Sequence, residues 1–215
     1  MEKPNFKMSF GFAQYCAEGN LCGDTIKTIN DSRGHMVFII SDGMGKGSRA
    51  ALDGAMGAGL LSKLLSAGFG FDSSLKVVNS ALLVKSHEES LATLDCVRVD
   101  LFSGKCEFYK AGAPRSYIVK DDRLTKCELT SMPAGILRGV EFAKRTTVLN
   151  TDDEIIMMSD GVTDVGNEWL EKFLRLETTL EPNEKAKAIL KIALENSDEK
   201  HRDDMSVIVA KMLER

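Results

Sequence analysis

The stretch His35-Met-Val-Phe-Ile-Ile-Ser-Asp-Gly-Met-Gly-Lys-Gly47 decides how the rest of the chain is read. Its first seven residues, His35 to Ser41, are apolar and β-branched, the mark of a strand covered on both faces. The strand delivers Asp42 to a Gly-rich turn from Gly43 to Gly47. A second run, Glu154 to Ser159 (EIIMMS), ends in the same tripeptide, Ser159-Asp160-Gly161. A carboxylate at the exit of a buried strand is held rigidly, and the glycine after it lets the backbone turn so that its carbonyl can face the same ligand.

Working outward, Arg49 to Ala67 and Asp72 to Ser86 carry apolar residues at helical spacing, separated by the Gly68 to Gly70 break. Gly54, Gly57 and Gly59 lie inside the first helix and weaken it by roughly 1 kcal/mol each relative to alanine, so it is either packed closely or soft. From Thr93 the period shortens. LDCVRVDL, CEFYKA and SYIVK followed by DDR and Leu124 read as strands joined by turns at Ser103-Gly104 and Asp121-Asp122. Thr146 to Leu149 is a further strand, Trp169 to Leu176 and Glu184 to Glu195 are helical by pattern, and Met205 to Met212 closes the chain as a strand. An antiparallel meander with a helix pair early and helices late predicts a layered α+β sandwich, in one domain spanning 1–215.

Composition narrows the function classes. The 215 residues are 43% hydrophobic, ample for one sizeable core, and the net charge of −4 comes from acids and bases mixed along the chain. Without a basic block or an aromatic and basic stripe, nucleic acid is not an expected partner. No apolar run reaches the length of a bilayer span, and Met1 to Phe10 has no signal-peptide pattern, so a cytoplasmic chain without a membrane partner is expected. The five cysteines, Cys16, Cys22, Cys96, Cys106 and Cys127, contain no C-x-x-C pair and indicate neither a disulfide framework nor a zinc knuckle.

The acidic residues carry the chemistry. Asp24 in Gly23-Asp24, Asp42, Asp160 and the pair Asp203-Asp204 all sit beside strands. One such Asp is more often a turn or cap residue. Together they offer hard oxygen ligands, and Mg²⁺ or Mn²⁺ prefers a few carboxylates plus several waters, so the set suits two such ions. The turn Gly43-x-Gly45-x-Gly47 also invites a nucleotide-binding reading, but its spacing is not the dinucleotide fingerprint, it opens with an anionic Asp, and no strand-ending acid follows about 20 residues on.

Taken together the motifs resemble the metal-dependent protein phosphatases of PPM type, and within them the sporulation branch typified by the stage II sporulation protein E phosphatase domain. The resemblance runs in family order through Gly23-Asp24, Ser41 to Gly47, Thr93-Leu94-Asp95, Gly112-Ala113-Pro114, Pro133 to Ile136, Ser159-Asp160-Gly161 and Asp203 to Ser206. It implies a four-layer α-β-β-α sandwich with two mainly antiparallel sheets. By position, Asp42 resembles the carboxylate bridging both metals, and Gly43 the residue whose carbonyl reaches a metal through water. Asp24 resembles the ligand of the second metal, Asp160 and Asp203 the ligands of the first, and Asp204 a supporting residue. Many relatives carry His after this Asp-Gly, proposed as a general acid; here Met44 takes its place. His201 reads as an exposed loop residue, and His35 and His87 have no motif around them. Lys46, beside Asp42, is a candidate for attracting the substrate phosphate.

The activity implied is hydrolysis of phosphoserine or phosphothreonine by a water activated between two Mn²⁺ or Mg²⁺ ions, with Asp42 and Asp160 central and no phosphoenzyme. The implied substrate is a phosphorylated anti-sigma-factor antagonist. The helices Arg49 to Ala67 and Asp72 to Ser86 correspond to those thought to switch such enzymes on, and a homodimer through them is a further expectation. Relatives commonly carry membrane-spanning and regulatory segments before this domain, which points to a separated domain or a short paralogue. A catalytically silent binding domain of the same fold is the alternative, disfavoured by the filled ligand positions.

Overall fold

The computed structural model describes residues 3–85, 90–121, 123–139, 141–166, 168–177 and 179–215. His87, Ser86 at the expected end of the second helix, and Asp122 of an expected turn lie outside the described residues.

Among the described residues ten strands form two five-stranded sheets in which every neighbouring pair is antiparallel. The first contains β1 (Phe6–Tyr15), β10 (Met205–Glu214), β9 (Glu154–Met158), β6 (Ser116–Lys120) and β7 (Arg123–Cys127), in that order. The second runs β2 (Asp24–Asn30), β3 (His35–Gly43), β4 (Ala92–Asp100), β5 (Lys105–Ala111) and β8 (Ala143–Val148). Helices α1 (Gly47–Ser66) and α2 (Phe71–Lys85) cover the second sheet. Helices α4 (Glu168–Leu176) and α5 (Pro182–Asn196), with the single turn α3 (Asp160–Thr163), cover the first. The order of layers is α-β-β-α, as the family resemblance implied.

The continuous apolar runs follow from this layering. In β3, Val37 and Ile39 face α1 and α2, whereas Met36, Phe38 and Ile40 face the opposing sheet. In β9, Ile156 and Met158 face the other helices, and Ile155 and Met157 meet the inter-sheet core. A strand buried on both faces has no polar side to alternate with.

Differences from the sequence reading lie mostly at the ends. Helix α1 starts at Gly47, because Lys46 is still extended (φ −135°, ψ 160°), and α5 starts at Pro182, whose fixed φ suits a first turn. Strands β1 and β2 were not expected, although Phe6, Met8, Phe10 and Phe12 alternate in β1; its edge position leaves Phe10 and Phe12 partly exposed and blurs the pattern.

Candidate metal and phosphate site

Asp24 and Asp42 occupy directly opposed positions in the antiparallel pair β2–β3. Asp42 has the parity of Met36, Phe38 and Ile40, so its side chain projects into the space between the sheets, and Asp24 opposite it does the same. Asp24 is 4% exposed, and neither of its carboxylate oxygens has a hydrogen-bond partner. Burial pushes its pKa up to about 6, helped by the charges of Asp160 and Asp204, while the nearby hydroxyls of Ser159 and Ser206 temper the rise without completing a hydrogen bond. Asp42 is pushed to about 8 by burial and then by Asp24, Asp160, Asp203 and Asp204. Asp160, at the first position of α3, is raised by burial and by Asp203 and Asp164.

The first sheet brings its acids to the same place. Ser159 N donates to Ser206 O at 3.0 Å, and Ser206 N donates to Ser159 Oγ at 2.8 Å, stitching the end of β9 to the start of β10. Gly161 is required there, since a Cβ would lie 2.2 Å from Asp204 O. Asp203 is exposed at the rim and accepts from the N–H of Asp204 at 2.8 Å.

Asp204 does more than the sequence indicated. Its Oδ1 accepts from Ala17 N at 2.7 Å and its Oδ2 from Gly23 N at 2.5 Å, so one carboxylate fastens both ends of the β1–β2 loop next to Asp24. Gln14 Nε2 donates to Asp24 O at 3.1 Å and to Ser206 Oγ at 3.0 Å, a second tie across the sheets that no motif marked. Asp204 could have been read from the Asp203-Asp204 doublet; Gln14 had no signal of its own.

Helix α1 presses its backbone on the site. A Cβ at Gly54 would sit 2.0 Å from Gly23 O, one at Gly57 2.6 Å from Ser41 Oγ, and one at Gly43 1.9 Å from Ala50 O. Gly54 and Gly57 are therefore close-contact glycines, whereas Gly59 meets nothing within 4 Å. Two other resembling segments are architectural. Asp95 lies opposite Lys110, whose buried Nζ donates to Asp95 Oδ2, Pro114 O and Ser116 Oγ at 2.7, 2.6 and 2.8 Å. Gly135 N donates to Asn79 Oδ1 at 2.9 Å, holding the Pro133 to Ile136 segment on α2. Helices α1 and α2 are joined by an ion pair of Asp53 with Lys85.

A cavity of about 200 Å³ lies at the rim of this cluster, with Tyr15, Gly23, Gly45, Lys46, Asp203 and Asp204 in its wall. Lys46 is exposed and makes no ion pair among the described residues. Met44 stands at the surface, 47% exposed, with no proton to donate. His201 is turned to solvent and paired with Asp198 at 2.7 Å, and His35 is paired with Asp31 at the other end of β3 from Asp42.

The buried, unpartnered carboxylate of Asp24 beside the part-buried carboxylates of Asp42 and Asp160 fits divalent cations, which supply the missing positive charge. Among the described residues no three His, Cys, Asp or Glu side chains close into a cage around one point.

The family model for stage II sporulation protein E (SpoIIE) matches residues 32–213 of the chain. Stage II sporulation protein E of Priestia megaterium is 31% identical over 200 residues, covering 90% of this chain and 34% of the relative. The chain thus spans about a third of that relative's length. The solved PP2C phosphatase domain of SpoIIE from Bacillus subtilis, with a fragment of its regulatory domain, superposes with a TM-score of 0.90 at 27% identity, over 99% of this chain and 64% of that one. The catalytic domain of the serine/threonine phosphatase PstP, in complex with 2 manganese ions, shares the fold at TM-score 0.77 and 18% identity, over 97% of this chain and 100% of that one.

Proposed function

Because this chain belongs to the stage II sporulation protein E family and has the PP2C phosphatase fold, we propose that it is a metal-dependent phosphatase of phosphoserine and phosphothreonine in proteins. The observation that carries the reading is the facing pair of buried Asp24 and part-buried Asp42, whose pKa is raised to about 8 by burial first and then by the charges of Asp24, Asp160, Asp203 and Asp204. Such a cluster costs stability as it stands, and it is best accounted for as a seat for cations. Asp24, Asp42, Asp160 and Asp203, with the carbonyl of Gly43, would hold two ions of Mn²⁺ or Mg²⁺. The chemistry such ions supply is activation of a water nucleophile and neutralisation of phosphoryl oxygens.

The chain's own residues do the rest. Asp204 fixes Gly23 and hence the direction of Asp24. Lys46, on the cavity wall, offers an unpaired ammonium to the incoming phosphate. Met44 cannot protonate the leaving serine oxygen, and neither His35 nor His201 reaches the site, which leaves that proton to water or to another group. The substrate we propose is a phosphorylated anti-sigma-factor antagonist, which places the enzyme in sporulation sigma-factor control in the cytoplasm. Helices α1 and α2 are the proposed switch, since Gly54 would transmit any shift of α1 to the backbone of Gly23 and Ser41, and Gly57 to the Ser41 side chain; a homodimer through this pair is the proposed means of setting it.

The test is release of phosphate from such a phosphoprotein with and without Mn²⁺. Metal-dependent turnover that disappears in Asp42→Ala and Asp160→Ala supports the assignment. Turnover that survives in both, or a wild-type chain that binds Mn²⁺ without hydrolysis, refutes it, the latter leaving a silent binding domain.

A further inference from the structure

Helix α5 buries Ala186, Ile189 and Ala193 against the first sheet, and leaves Leu190 and Leu194 partly exposed beside Lys187 and Lys191. Residues 187, 190, 191 and 194 follow the i, i+3, i+4, i+7 spacing of one continuous strip of helix surface. That strip walls a groove of about 610 Å³. The groove and the cavity of about 200 Å³ at the rim of the acidic cluster have Glu199 and Arg202 in common. Arg202 is held in place. Its Nε donates to Ser197 Oγ at 2.7 Å, its Nη2 donates to Leu194 O at 2.9 Å, and its guanidinium lies 5.9 Å from the centroid of the Tyr15 ring. Groove and cavity are thus one passage with a fixed cation at its waist. Between residues 187 and 202 the walls carry the cations Lys187, Lys191, Lys200 and Arg202 against only Glu195 and Glu199. The two ion pairs among them, Lys191 with Glu195 and Arg202 with Glu199, are each at 3.9 Å, and Lys187 and Lys200 make none among the described residues.

We propose that this groove docks the phosphoprotein, taking a segment beside the phosphoserine in which apolar side chains alternate with carboxylates. A chain that presents its phosphoseryl side chain to the acidic cluster and leaves over Arg202 runs into the groove, because the two spaces share that residue. Its apolar side chains cover Leu190 and Leu194, and its carboxylates meet Lys187, Lys191 and Lys200. From Lys187 to Leu194 the helix rises about 10 Å, a length that three or four extended residues cover. The surplus of cations selects acidic segments and turns basic ones away, since like charges facing each other across an interface are costly. That the segment belongs to a phosphoprotein rests on the phosphatase reading of the acidic cluster; the charge preference of the groove does not.

Two fluorescein-labelled peptides test this, each a serine with flanks of about six residues on both sides, alternating Leu with Asp in one and Leu with Lys in the other. By fluorescence anisotropy the native chain should bind the Asp peptide about tenfold more tightly than the Lys peptide, and a chain carrying both Lys187→Glu and Lys191→Glu should reverse the preference. The preference is a ratio within one chain, so loss of folding cannot imitate its reversal. With phosphoserine in the peptides and Mn²⁺ present, the same preference should appear in KM. Equal binding of the two peptides by the native chain, or a preference that survives both charge reversals, overturns the groove. So does a native dimer in sedimentation that the double variant splits, because a second copy of the chain is then the occupant. Mn²⁺-dependent hydrolysis of p-nitrophenyl phosphate without any peptide preference keeps the phosphatase reading and removes the groove. A reversible peptide preference in a chain that hydrolyses nothing leaves the groove as a peptide site and refutes the phosphatase reading.

Discussion

Asp204 Oδ2 accepts the backbone N–H of Gly23 at 2.5 Å, a contact between residues 181 apart in sequence that sets the entry into Asp24. The same carboxylate holds Ala17 N through its other oxygen, so the supporting residue acts on the loop in front of the site. Asp204→Ala is expected to weaken Mn²⁺ binding about 10- to 100-fold while leaving the far-ultraviolet circular dichroism unchanged, with Asp204→Asn, which keeps one acceptor oxygen, falling between. Calorimetric Mn²⁺ titration of the three chains checks this; equal affinities would remove Asp204 from the site.

Asp42 predicts a separation of stability from activity. Its folded pKa of about 8 lies above the ordinary carboxylate value of 3.8, so the folded chain binds the proton more tightly than the unfolded one. By linkage, this residue's contribution to stability is lost as pH rises from about 4 to about 8. In the metal-free protein at neutral pH, Asp42→Asn should therefore raise the stability to urea by about 1–2 kcal/mol and abolish turnover. A lower urea midpoint in the variant would show that Asp42 is not held against repulsion.

The glycines of α1 make opposite forecasts for the same substitution. Gly54→Ala puts a Cβ 2.0 Å from Gly23 O, and backbone cannot yield as a flexible side chain does. A loss of about 2–3 kcal/mol and of activity is expected. Gly59→Ala meets open space and should gain about 0.5–1 kcal/mol from helix propensity. Thermal melts of both single variants distinguish close packing from a soft helix; similar shifts in both would contradict the packing account.

Glu107 supplies an acid-sensitive joint in the second sheet. Burial alone would raise its pKa, but Lys144, Lys105 and Arg98 outweigh it and hold the carboxyl at about 2. A depressed carboxyl stabilises above its unfolded pKa of about 4.5, and that share is lost as pH falls toward 2. Lys105 and Lys144 are half exposed, so screening limits the term to about 1–2 kcal/mol. Glu107→Gln should flatten the loss of stability between pH 5 and pH 2 in urea titrations; an unchanged slope would assign the acid sensitivity elsewhere.

Much of this protein was legible in one dimension. Strands buried on both faces must be apolar at every position, so β3, β9 and β10 announced themselves, and the polar interruption at Asp42 and Asp160 marked where each emerges. Glycine after each Asp was equally readable, because only a residue without Cβ fits against Ala50 O or Asp204 O, although the sequence could not say what it would press on. The α1 glycines stayed ambiguous for that reason. An internal glycine lowers helix propensity whatever surrounds it, and only the neighbouring backbone shows that Gly54 and Gly57 are contacts and Gly59 is not.

The sequence by itself determined the type of most helices and strands and the identity of the acids, because periodicity and residue chemistry are local properties, and the layer order followed from the family resemblance. Tertiary structure alone decided that Asp24 faces Asp42 across a ladder, that Asp204 reaches back to Ala17 and Gly23, and that Lys110 serves Asp95. Each is a relation of register or loop closure between segments, and the free energy that fixes it comes from burying apolar faces elsewhere in the sandwich, not from the residues that meet.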